Sequence, residues 1–89
     1  MEPVELVTSP TFIRQLIELE YRDQKQAAKA LTLFAHNPSH PSLRLKKRGS
    51  DGRWEISFSR SGRMLFAWAD ERTRRKAIFL SVGHHDIVE

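Results

Sequence analysis

The 89-residue chain carries 15 Lys and Arg against 11 Asp and Glu, is 39% hydrophobic, and has no cysteine. This length predicts one domain over residues 1–89, too small for a second core or a deep cofactor cavity. Without cysteine, disulfides, thiolate metal sites and thiol catalysis are excluded. No apolar run approaches the roughly 18 residues of a membrane helix, and the acidic start Met1-Glu2-Pro3-Val4-Glu5 does not read as a signal peptide, so a cytoplasmic protein with no membrane contact is expected.

Residues 3–8, with Val4 and Leu6, read as a short first strand. Ser9 then suits an N-cap and Pro10 the first helical position. Phe12, Ile13, Leu16 and Ile17 make one apolar stripe on the helix that follows. Asp23 suits the cap of a second helix carrying Ala27, Ala30, Leu31 and Phe34, which must stop near Asn37-Pro38. A short joint makes the two helices an antiparallel hairpin. His36 to Pro41 reads as a loop. His36 and His40 have a helical metal-ligand spacing, but Pro38 between them breaks the helix, so no metal site is expected.

Three strands follow. Trp54, Ile56 and Phe58 alternate with Glu55, Ser57 and Ser59. Arg60-Ser61-Gly62-Arg63 supplies a turn in which Gly62 can take a positive φ. Met64, Phe66 and Trp68 alternate with Leu65 and Ala67, and Ile78, Leu80 and Val82 with Phe79, Ser81 and Gly83. The expected fold class is α+β: a two-helix hairpin packed on a mainly antiparallel four-stranded sheet, in the order β-α-α-β-β-β.

Period-two alternation puts the three bulky sets, Ile78/Leu80/Val82 included, on the helix-covered face. The other face then receives Glu55, Ser57, Arg63, Leu65, Ala67, Phe79, Ser81, Gly83 and His85. It reads as a shallow, open depression, walled on one side by a basic loop of Arg44, Lys46, Lys47, Arg48 and Arg53. The charge supports this picture. Residues 44–76 hold eleven basic and four acidic side chains, whereas residues 1–43 hold four basic and five acidic. Such concentration suits a polyanion, nucleic acid above all, although a solvated basic face or a dock for an acidic protein also fits. Arginine binds phosphate bidentately and stabilises charge developing on it, and histidine transfers protons near neutral pH. Equally, Arg63 can pair across a strand with Glu55, and His84-His85 can be a polar strand end.

Several strings, in this order and spacing, resemble the RelE/ParE toxin superfamily of bacterial toxin–antitoxin systems. They are Phe12-Ile13-Arg14-Gln15-Leu16, His40-Pro41-Ser42-Leu43-Arg44-Leu45-Lys46-Lys47, Gly52-Arg53-Trp54-Glu55-Ile56-Ser57, Gly62-Arg63-Met64-Leu65-Phe66 and Val82-Gly83-His84-His85-Asp86. The resemblance implies a helical pair on a mainly antiparallel sheet. For RelE-like members it also implies an endoribonuclease that cuts mRNA on the ribosome and inhibits translation, without a metal or cofactor. In that chemistry a 2′-hydroxyl attacks the adjacent phosphate, leaving a 2′,3′-cyclic phosphate and a 5′-hydroxyl.

Carried onto this chain, the resemblance gives Arg63, His85 and Glu55 catalytic roles. It gives Lys46, Lys47, Arg53, Arg60 and His84 contacts to RNA. It also implies a cognate antitoxin, with ribosome and mRNA as the other partners. Many relatives follow the His-Asp pair with a tyrosine; the corresponding place here is near Glu89, so no tyrosine role transfers. ParE-like members inhibit DNA gyrase instead, and an inactive homologue acting with its antitoxin in repression is a second alternative.

Overall fold

The structure, a computed structural model, describes residues 2–85. Its order is β1 (Glu5–Thr8), α1 (Pro10–Glu18), α2 (Tyr21–His36), a 3-10 turn (Pro41–Leu43), β2 (Lys46–Arg48), β3 (Arg53–Ser57), β4 (Gly62–Trp68) and β5 (Lys76–His84). The strands form one sheet in the order β1-β5-β4-β3-β2. All pairings are antiparallel except β1 with β5, which is parallel. The α+β class and the β3-β4-β5 meander agree with the sequence reading. The sheet, however, has five strands rather than four. Lys46–Arg48, expected as loop, pairs with Arg53–Glu55 as an edge strand. An edge strand of Lys, Lys and Arg resists further strand addition, which is how natural sheets protect their edges.

Ser9 caps α1 as its side chain predicts, with Oγ accepting from Phe12 N at 3.0 Å and Pro10 opening the helix. The second helix starts earlier than expected, at Tyr21, with Glu20 in the cap position and no side-chain cap bond; Asp23 lies in its first turn. Between the helices, Gln24 Nε2 donates to the carbonyls of Leu16 and Ile17, both at 3.1 Å. It thereby satisfies acceptors that the end of α1 leaves open.

The core lies between helices and sheet, where Phe12, Phe34, Phe66 and Phe79 are fully buried with Ala27, Ile56 and Met64. Phe34 packs edge-on against Phe66 and Phe79, with centroids 4.9 and 5.3 Å away, a favoured arrangement for aromatic quadrupoles. The expected alternation holds in β3 and β4 but fails in the first half of β5. Ala77 and Phe79 are buried there, while Ile78 and Leu80 are not.

The reason is a β-bulge. Leu65 faces Ser81 and Phe66 faces Phe79, leaving Leu80 as the extra residue. A bulge exchanges faces, so Phe79 points to the core and, beyond it, so does Val82. Helix α1 satisfies the exposed backbone. Ser9 Oγ donates to Leu80 O at 3.0 Å, and Val82 N donates to Gln15 Oε1 at 2.9 Å.

Gly62 also serves a purpose different from the one expected. It is not among the positive-φ glycines, which are Gly49 and Gly52 in the β2–β3 turn. A Cβ at Gly62 would instead drive into the Phe58 ring and Ser59 Oγ.

Candidate nucleic-acid interface

Register fixes which side chains share the sheet face away from the helices. Lys46 faces Glu55, Arg48 faces Arg53, Glu55 faces Leu65, and Ser57 faces Arg63, which faces Gly83. Directly paired residues point the same way, so this face collects Lys46, Arg48, Arg53, Glu55 and Arg63. It is less open than the alternation suggests: Leu65, Glu55 and Ser57 are only 6%, 7% and 9% exposed. Two arginines reach onto Glu55 from either side. Arg48 Nη1 lies 2.7 Å from Oε1 and Arg63 Nε 3.5 Å from Oε2. A buried carboxylate needs such pairing, since desolvation otherwise penalises the charge.

Arg63 is held at a second point. Its Nη1 donates to the carbonyls of Ser59, Arg60 and Gly62 at 3.2, 3.1 and 2.9 Å. With Nε on Glu55 and Nη1 on the turn, Nη2 takes no part in these contacts. The guanidinium is thus fixed in plane by its neighbours, and its side chain is 15% exposed. A charge fixed before the ligand arrives needs no reorganisation to meet an anion.

The remaining sequence-predicted residues separate. Lys46 and Arg53 are exposed on the Glu55 face, Arg53 paired with Asp51 at 2.9 Å. Arg60 is exposed in the β3–β4 turn and lines a groove of about 480 Å³ with Lys29, Arg44 and Ser59. Lys47 takes the opposite face, with its Nζ 5.9 Å from the centre of the Trp54 ring, a cation–π distance. His84 is also on the helix side, with Nε2 at 3.1 Å from Asp23 Oδ2 and Nδ1 at 2.9 Å from Ser61 Oγ. His85 is exposed just past the end of β5, and its N–H donates to Ser61 O at 2.7 Å. Neither Arg63 nor His85 lies beneath the helices. Asp86 and the place near Glu89 fall outside the described residues.

Arg48, Asp23 and Ser61 do more than their sequence places suggest, which are a basic wall, a helix cap and a turn: Arg48 reaches Glu55, and Asp23 and Ser61 both reach His84. Arg48 is detectable only once Lys46–Arg48 is recognised as a strand, because it then shares parity with Lys46 and faces the carboxylate side. Asp51, in the β2–β3 turn, has its carboxyl held below the usual value, first by the backbone N–H of Arg53 and then by the guanidinium of the same residue. Among the described residues, no group of three or more His, Asp or Glu is placed to hold a metal ion. No helix there is long and apolar enough to cross a membrane.

No protein-family model matches the sequence, and no curated protein matches it. Solved structures do match. The chain is similar to YafQ from E. coli strain BL21(DE3), with a TM-score of 0.75 at 14% identity over 96% of this chain and 97% of that one. It is similar to the YoeB/ParE toxin from Agrobacterium tumefaciens, with a TM-score of 0.74 at 10% identity over 92% and 99%. It is also similar to a chain of the intact E. coli RelBE toxin-antitoxin complex, with a TM-score of 0.70 at 21% identity over 91% and 95%. The chain has the fold of the RelE/ParE toxins.

Proposed function

We propose that the protein is the toxin of a toxin–antitoxin pair and acts as a metal-independent endoribonuclease on ribosome-bound mRNA. The observation that carries this reading is the fixed Arg63 guanidinium, braced by Glu55 and by three turn carbonyls on a basic sheet face. Arg63 meets the scissile phosphate through Nη2 and stabilises the charge that develops during attack by the 2′-hydroxyl. His85, exposed beyond the β4–β5 pairing, exchanges protons with the attacking or leaving oxygen. Glu55, with an arginine on each oxygen, orients Arg63 and balances its charge. Lys46, Arg53 and Arg60 bind the flanking backbone as exposed cations. Lys47 and His84, on the other side of the sheet, contribute to RNA binding only at its rim.

A cognate antitoxin is the expected protein partner, as in the RelBE and DinJ-YafQ toxin-antitoxin complexes among the similar structures. The basic face favours an acidic segment. The deciding experiment adds purified protein to translating ribosomes carrying a mapped mRNA. Cleavage leaving 5′-hydroxyl ends is expected, lost in Arg63→Ala. Intact mRNA together with inhibited DNA supercoiling would replace this reading with a gyrase inhibitor.

A further inference from the structure

The bulge at Leu80 places His84 on the helix side of the sheet, across from Asp23. There the imidazole joins two segments 61 and 23 positions away in sequence: Asp23 on α2 and Ser61 in the β3–β4 turn. An ionised carboxylate only accepts hydrogen bonds, so Nε2 carries the ring proton. In the neutral ring Nδ1 then accepts, and the Ser61 hydroxyl donates to it. Ser61 is held a second time, because its carbonyl accepts the His85 N–H at 2.7 Å. The carbonyls that grip Arg63 belong to Ser59, Arg60 and Gly62, on both sides of Ser61. Any displacement of Ser61 therefore moves the acceptors that aim the guanidinium.

We propose that Asp23, His84 and Ser61 form a positioning relay that anchors the β3–β4 turn to helix α2 and so holds Arg63 in its phosphate-binding pose. The assignment deepens the nuclease reading and rests on it for its catalytic consequence. The His84 side chain is 38% exposed, and solvent screening there reduces what the pair adds to global stability. Its effect falls on geometry, where small misplacements of a charge-stabilising group cost rate rather than folding. Carboxylate, imidazole and hydroxyl in that order also describe an activated nucleophile, and the test separates the two roles.

Wild type, Asp23→Asn, Ser61→Ala, His84→Asn and His84→Gln are compared in ribosomal mRNA cleavage, thermal melting and nitrogen-15 NMR of the Arg63 Nε–H. Asparagine at 84 keeps a group near Ser61 and glutamine keeps one near Asp23; neither keeps both. Each variant is expected to lower kcat by about tenfold to a hundredfold, with KM little changed. Melting should change little beside the loss of rate, and exchange of the Arg63 Nε–H should be faster. Wild-type kcat and wild-type Arg63 protection in Asp23→Asn and Ser61→Ala would overturn the relay. If wild type cuts no mRNA but Arg63 protection still falls in those variants, the nuclease reading fails and the relay stands. Labelling of Ser61 by a fluorophosphonate, abolished in His84→Gln, would make Ser61 a nucleophile and overturn the positioning role.

Discussion

Arg63 Nε sits 3.5 Å from Glu55 Oε2 although the two are not cross-strand partners. Arg63 faces Ser57 and Glu55 faces Leu65, so the contact is a diagonal one across β3 and β4. Diagonal neighbours come within reach only of long side chains, and arginine spans the gap through Nε while its terminal Nη1 stays on the turn carbonyls. That double attachment makes Arg63→Lys as informative as Arg63→Ala. A lysine supplies the charge but has no planar fork to occupy both anchor points. Both variants are expected to lower mRNA cleavage, alanine by roughly 10²–10³ as for loss of one preorganised donor. Lysine should recover only a small part. Single-turnover cleavage with circular dichroism as the folding control checks this.

Glu55 has the complementary role. Glu55→Gln keeps the shape but removes the charge shared by Arg48 and Arg63, at 2.7 and 3.5 Å. Two guanidinium groups are then left facing a neutral amide in a largely covered site. The expected result is a loss of about 1–3 kcal/mol in urea denaturation, at the lower end because Arg48 is partly solvated. Replacing Arg48 as well, in Glu55→Gln/Arg48→Met, should recover part of that loss. Equal stability of the single variant and wild type would show that the cluster is not coupled.

Much of the fold is written locally. Ser9-Pro10 specifies the start of α1 through a cap and a missing N–H, both short-range effects. The alternation of β3 and β4 reflects one buried face and needs no distant information. β2 is different, because Lys46-Lys47-Arg48 has no apolar period and becomes a strand only through pairing with Arg53–Glu55. Leu80 is equally opaque. An unbroken apolar alternation through Ile78, Leu80 and Val82 suggests one face, and only the packing of Phe79 against Phe12 and Phe34 reveals the exchange. In the site, the alternation of β3 and β4 is enough to put Glu55 and Arg63 on one sheet face. Asp23 with His84 was not, because no local pattern links residues 61 apart.

Gly62 offers a test of packing rather than backbone freedom. Gly62→Ala sets a methyl against the Phe58 ring and is expected to cost about 1–3 kcal/mol by overpacking. Pairing it with Phe58→Leu should restore part of the loss. At Gly49 and Gly52, with φ of 62° and 81° and open space around a Cβ, alanine meets no neighbour. The cost there comes from the left-handed backbone alone, about 1–2 kcal/mol, and no change at Phe58 relieves it. Melting curves of the four variants distinguish the two causes.

Asp51 predicts a weak acid dependence. The Arg53 backbone N–H and guanidinium, at 3.2 and 2.9 Å, lower its pKa in the folded chain. A lowered folded pKa favours the native state above the unfolded pKa, and the advantage disappears as pH falls through the folded value. Asp51→Asn should therefore destabilise the protein at neutral pH and converge with wild type in acid, below the usual carboxylate range. Denaturation at neutral pH and near pH 2 checks this; a gap that widens in acid would contradict the assignment.

The strongest structural prediction concerns the bulge. Deleting Leu80 removes the extra residue and forces a choice between two registers. If the strand keeps Phe79 in the core, Val82 turns outward and its N–H loses Gln15 Oε1, now at 2.9 Å. If it keeps Val82, Phe79 leaves a site where it is fully buried against Phe12 and Phe34. Removing a buried phenylalanine costs about 3–5 kcal/mol, a large share of what so small a domain has. The deletion should therefore be partly or wholly unfolded at 25 °C. Gln15→Ala isolates the polar part of this cost. It leaves one backbone N–H unsatisfied, for a loss of about 1–3 kcal/mol with the register intact. Amide exchange should show the Val82 N–H losing protection in Gln15→Ala while those of Leu65 and Phe66 hold. A folded, fully protected deletion variant would mean that the sheet tolerates a register the core packing forbids.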